Sequence, residues 1–152
     1  AYQSELRPYF RSTAAHNTAT VNGEEQMECW AEHRVARGVS HVHVAKTGEY
    51  SIAASFRNYK GHLHRRSIEF RDGVLRVEDS TDDVNVEVVQ HFHYAYESTP
   101  AIIPGVTCKL VFDEIPYSSE FGETAKATVA EVFGRGSACA TIPLNDFDRS
   151  AC

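Results

Sequence analysis

Residues 64–79, His-Arg-Arg-Ser-Ile-Glu-Phe-Arg-Asp-Gly-Val-Leu-Arg-Val-Glu-Asp, decide the fold. Ser67–Phe70 and Val74–Val77 are short runs carrying the β-branched, aromatic and aliphatic residues that suit a pleated, half-buried surface. Between them stand Arg71, Asp72 and Gly73, and an Asp-Gly pair supplies the positive φ angles of a tight hairpin turn. Glu78 and Asp79 are neighbours on the second strand, so they point to opposite faces and make a poor acid–base pair. The segment reads as scaffold.

The same grammar runs outward in both directions. Val84, Val86, Val88, Gln90 and Phe92 alternate with Asn85, Glu87, Val89, His91 and His93, and Val106, Cys108, Leu110 and Phe112 alternate with Thr107, Lys109, Val111 and Asp113. Turn signals stand at Asn22-Gly23, Thr47-Gly48, Pro104-Gly105 and Gly134-Arg135-Gly136. Only Glu123–Phe133 suits a helix as well as a strand. The pattern predicts one domain over residues 1–152, an all-β antiparallel β-sandwich of two stacked sheets.

Composition narrows the function classes. With 152 residues, 42% hydrophobic and 24% charged, the chain builds an ordinary globular core. No apolar run approaches the ~20 residues of a membrane span, so no membrane partner is expected. The net charge of −6 hides an asymmetry: residues 1–76 hold 11 Lys/Arg and 8 Asp/Glu, whereas residues 77–152 hold 4 and 13. An acidic whole argues against nucleic acid, while a basic first half can meet an acidic polymer. Cys29, Cys108, Cys139 and Cys152 lack the CxxC spacing of a thiolate zinc site. Cys108 reads as a small packed hydrophobe. One disulfide is compatible with an oxidising compartment, and the pair is not legible.

The chemistry concentrates in Arg11–Trp30, RSTAAHNTATVNGEEQMECW. His16 opens a predicted strand, His16–Val21, closed by Asn22-Gly23. A histidine at a strand end can face a cleft while its second ring nitrogen is held by a neighbour, as metal ligands require; equally it can cap a turn. Trp30 reads as core. His41/His43, His62/His64 and His91/His93 have HxH spacing, which places both rings on one strand face and could chelate a metal. His91-Phe92-His93 with Glu97 imitates half of a cupin-like metal motif, but Asn85 stands where a glycine is expected and Gly105 falls one residue late.

Arg11–Trp30 and residues 64–79 together resemble the C-terminal β-sheet domain of the heparinase II/III family of polysaccharide lyases. The resemblance covers nearly the whole chain. It implies that His16, in an HNT-type motif flanked by Arg11, Ser12, Thr13, Asn17, Thr18 and Gly23, helps bind one divalent, zinc-like metal. Even an open catalytic zinc site takes three protein ligands. The family's HxHxD-like strand and helical toroid are not among these residues, so the other ligands are expected outside this chain. The resemblance further implies an acidic, uronate-containing polysaccharide as substrate, cleaved by β-elimination. Tyr2 is a candidate for proton transfer and Tyr9 and Arg11 for substrate contact, although tyrosines so placed also serve as packing residues. An N-terminal helical domain of the same polypeptide is the expected partner, and a bacterial periplasmic or secreted location follows by resemblance. The chain alone is expected to be inactive. Two alternatives stand beside this: a stand-alone carbohydrate-binding sandwich without chemistry, and a cupin-like metal-binding protein.

Overall fold

Asp72 and Gly73 adopt φ angles of 51° and 74°, the left-handed pair that a two-residue hairpin turn demands. In the computed structural model, which describes residues 6–30, 34–94, 101–117 and 125–144, that turn joins the central strands of the larger sheet. In chain order the elements are α1 (Arg7–Phe10), a 3-10 turn at Thr13–Ala15, β1 (Ala19–Val21), β2 (Glu28–Trp30), β3 (Arg34–Arg37), β4 (His43–Gly48), β5 (Ser51–Arg57), β6 (Leu63–Arg71), β7 (Val74–Ser80), β8 (Glu87–Tyr94), β9 (Ile103–Pro104), β10 (Lys109–Tyr117), β11 (Ala125–Arg135) and β12 (Ser137–Pro143). The small sheet has the order β1-β8-β11-β10 and the large sheet β4-β5-β6-β7-β12-β9. Every pairing is antiparallel. The fold is an all-β sandwich, with β2 and β3 forming a separate two-stranded ribbon. Among the described residues no helix is long and apolar enough to cross a membrane.

Alternation sends Ala19, Val88, Phe92, Ala130 and Val132 from the small sheet against Val77, Ala138 and Ala140 from the large one. Val88 and Val132 are wholly buried, and each such side chain stabilises the fold by about 1.5–3 kcal/mol. Ile68, Leu75, Leu110, Cys108 and Ile142 close the margins of this layer. Both edges of the small sheet are blunted. At β1 the Gln26 amide donates to the Ala19 carbonyl (3.3 Å), and the Glu24 N–H donates to the Val21 carbonyl (3.2 Å). The opposite edge, β10, carries Pro116, a residue that sheets confine to their edges.

Local turns cut several predicted strands short. The Asp83 carboxylate accepts the Asn85 N–H (2.9 Å) and the Asp83 carbonyl accepts the Val86 N–H (3.2 Å). This turn throws Val84 into solvent, 75% exposed, and β8 begins only at Glu87. A second turn, in which the Cys108 N–H donates to the Gly105 carbonyl (2.8 Å), exposes Val106 and delays β10 to Lys109. Trp30 is not core: it stands 60% exposed on the β2–β3 ribbon, which neither sheet covers. The ambiguous segment near residues 123–133 resolves as strand, because β11 pairs with β8 on one side and β10 on the other.

Gly134, at the end of β11, has no room for a side chain, since a Cβ there would overlap the Ser137 carbonyl and press on the Ala138 Cα. Gly134→Ala is expected to lower stability by about 3 kcal/mol, read as an earlier urea midpoint. An unchanged midpoint would show that the β11–β12 connection yields freely.

Candidate functional site

Residues 13–18 form a corner rather than the start of a strand. The His16 N–H donates to the Thr13 carbonyl (3.2 Å) and the Thr18 N–H to the His16 carbonyl (2.8 Å), so β1 begins only at Ala19. This corrects the predicted His16–Val21 strand. Gln26 grips both ends of the corner. Its backbone N–H donates to the Thr13 hydroxyl (2.9 Å), and its side-chain amide donates to the Thr18 hydroxyl (2.7 Å). The Thr13 N–H donates to the Glu25 carboxylate (2.5 Å). The Asn17 side-chain oxygen accepts the His93 backbone N–H (2.7 Å), and its carbonyl accepts Nη1 of Arg66 (2.7 Å). The neighbours are thus fastened, whereas the exposed His16 ring makes no hydrogen bond among the described residues.

Arg66 draws its position from a buried charge. Asp79 is fully buried between the sheets. It receives Nε (2.7 Å) and Nη2 (2.8 Å) of Arg66, Nε2 of His64 (2.6 Å) and the Gln90 amide (2.8 Å). Burial alone would push the Asp79 carboxyl up; hydrogen bonds from His64 and Arg66 outweigh it and hold the group below its ordinary value of 3.8. Gln90 comes from β8 and His64 and Arg66 from β6, so this carboxylate joins both layers.

The outer face of the small sheet carries a second polar group. His91 and His93 project from β8, and Glu131 stands beside His91 on β11. Nδ1 of His91 lies 3.0 Å from a Glu131 oxygen but is too poorly aligned for a hydrogen bond. Nε2 of His91 meets the Thr20 hydroxyl at 3.3 Å. Burial, assisted by the Arg66 guanidinium, pulls His91 down to about 4, while burial and then Asp113 push Glu131 up. The Tyr9 hydroxyl is buried without a hydrogen bond among the described residues, and burial and then nearby Glu131 push its pKa up, disfavouring ionisation.

The remaining predicted residues are dispersed. Half-buried Arg11 reaches the Arg34 carbonyl at 3.4 Å, at the start of β3. Tyr2 lies outside the described residues. Of the HxH pairs, His62 contacts Glu24 (2.6 Å), His64 is spent on Asp79, and His41 and His43 are exposed. Among the described residues no three His, Cys, Asp or Glu side chains converge as metal ligands. The described residues therefore do not by themselves complete a metal site. Sequence reasoning missed Gln26 as a clamp and the Arg66–Asp79 pair. The signal for the pair was present, since His64 and Arg66 fall on the same strand face as Ile68.

The model of the heparinase II/III-like C-terminal domain matches residues 1–132. The chain belongs to this family. No curated protein matches it. Among solved structures, this heparinase II/III-like domain is similar to the heparan sulfate lyase HepC from Pedobacter heparinus, with a TM-score of 0.65, 15% identity, and coverage of 94% of this chain and 27% of that one. A heparinase III gene product gives a TM-score of 0.64 at 15% identity, again covering 94% of this chain and 27% of the other. At that identity the likeness speaks for the fold. The domain spans about a quarter of the length of these neighbours.

Asp79→Asn is expected to cost about 3 kcal/mol at pH 7, because it breaks a buried ion pair. The folded state holds Asp79 below its unfolded value, so its contribution is complete above about pH 4 and is lost as pH falls below that. Urea titrations at several pH values should show the gap between parent and variant narrowing below about pH 4. A gap independent of pH would remove Asp79 from this role.

Proposed function

We propose that this domain is the β-sandwich part of a polysaccharide lyase that cleaves an acidic, uronate-containing polysaccharide by β-elimination. One observation carries the reading: within the matched family segment, the neighbours of His16 are tied down while its own ring stays exposed and makes no hydrogen bond among the described residues. A ring so presented suits a ligand completed by groups from elsewhere on the polypeptide. A divalent, zinc-like ion held there would supply positive charge to the site.

Elimination at a uronate requires the carboxylate to be neutralised, the C5 proton taken by a base, and the departing O4 protonated. From this chain, Arg11 is the candidate for the carboxylate, since guanidinium meets it in a bidentate fork. Tyr9 is a lesser candidate for substrate contact and Tyr2 for proton transfer. The helical domain and remaining ligands would come from the same polypeptide, for which the neighbours' greater length leaves room. A periplasmic or secreted location accords with such a substrate. The neighbours are named as heparan sulfate lyases and heparinases, so a uronate-bearing glycosaminoglycan is the first substrate to try. The exposed Trp30, on a ribbon with Arg37 over the Tyr59 ring at 5.3 Å, favours the non-catalytic alternative of a carbohydrate-binding sandwich.

The residues 1–152 alone should form no unsaturated uronate, followed by ultraviolet absorbance. A polypeptide extended to the neighbours' length should form it, and His16→Ala in that polypeptide should lower metal affinity roughly 100-fold or more. Product from residues 1–152 alone, or full metal retention in the variant, would overturn the proposal. Glycan retention that is indifferent to metal and to His16 would favour the binding sandwich.

A further inference from the structure

Cys108 and Cys139 belong to different layers yet meet over one residue. Cys139 lies on β12 of the large sheet, and Cys108 immediately precedes β10 of the small one. Gly105 connects them: its N–H donates to the Cys139 carbonyl (2.8 Å), and its carbonyl accepts the Cys108 N–H (2.8 Å). A Cβ placed on Gly105 would lie 3.3 Å from the Cys139 Cβ and 3.4 Å from the Cys108 sulfur. The two side chains therefore both border the space beside the Gly105 Cα. Both are partly buried and neither is bonded. Burial pushes the Cys139 thiol up, and the neighbouring Arg76 guanidinium offsets this only in part. Cys29 sits apart, on the β2–β3 ribbon.

We propose that Cys108 and Cys139 form a disulfide when the chain meets a disulfide oxidant. One cysteine thiolate attacks a sulfur of the oxidant and expels a thiolate, leaving a mixed disulfide. The second cysteine gives up its proton and attacks the protein sulfur of that intermediate, expelling the other half of the oxidant. The protein loses two protons and two electrons, and the oxidant becomes two thiols. The bond needs Cβ atoms about 4 Å apart, so the two side chains must close on each other over Gly105. Its effect follows from its place. Cys139 lies on β12 of the large sheet and Cys108 at the entry to β10 of the small one, so the bond would tie the two sheets together. This inference rests on local geometry and is independent of the lyase reading.

The purified chain, incubated with oxidised glutathione, alkylated and digested without reductant, should yield one cross-linked peptide joining Cys108 to Cys139. Tm should rise by about 5–10 °C on oxidation. Cys108→Ser and Cys139→Ser should each abolish the cross-link and the rise, and Cys29→Ser should preserve both. The mapping uses the unmodified sequence, so the result does not depend on a variant folding. Two free thiols at 108 and 139 after oxidation, or a bond from either to Cys29 or Cys152, would overturn the proposal.

Discussion

A carboxylate sealed between two apolar sheets sets the terms for the rest of this molecule. An isolated charge at the position of Asp79 would be prohibitively costly, so the fold must bring donors to it. They come from His64 and Arg66 on β6 and from Gln90 on β8. No shift of one sheet over the other keeps all of these bonds. The apolar layer supplies most of the stabilisation, and it would tolerate sliding by small amounts. Asp79 removes that freedom. Directional bonds fix the relative placement that non-directional burial leaves loose.

The constraint then passes to the surface along a short covalent and hydrogen-bonded route. Arg66 uses two nitrogens on Asp79 and extends a third to the Asn17 carbonyl. Asn17 in turn holds the backbone of His93 at the end of β8. The corner bearing His16 is thereby referenced to both sheets at once. A loop anchored only at its ends would leave the ring to wander. The corner lies within the residues matched by the family, 1–132.

Legibility in the sequence divided along the line between local and non-local physics. The β6–β7 hairpin was readable because Asp72-Gly73 dictates its own φ angles. The sandwich class followed from alternation and turn spacing. Val84 and Val106 were misplaced because the turns at Asp83 and Gly105 override the alternation they interrupt. Trp30 was misread because burial depends on what lies opposite, and nothing in its own neighbourhood announces that the ribbon stands uncovered. His16 was identified as the residue of interest, but the strand assigned to it was a corner. Arg66 and Asp79 stand 13 residues apart, and only the register of β6 against β7 puts them side by side.

Gln26 performs two tasks with one side chain. Its amide spans the corner through the Thr18 hydroxyl and also covers the Ala19 carbonyl on the open side of β1. A bare strand edge is a template on which other chains can stack. Replacing this glutamine would therefore loosen the His16 corner and, by the same stroke, uncover a site for intermolecular strand pairing. Loss of site geometry and a tendency to aggregate would travel together as one phenotype, so evolution could not relax the corner without also risking the solubility of the chain.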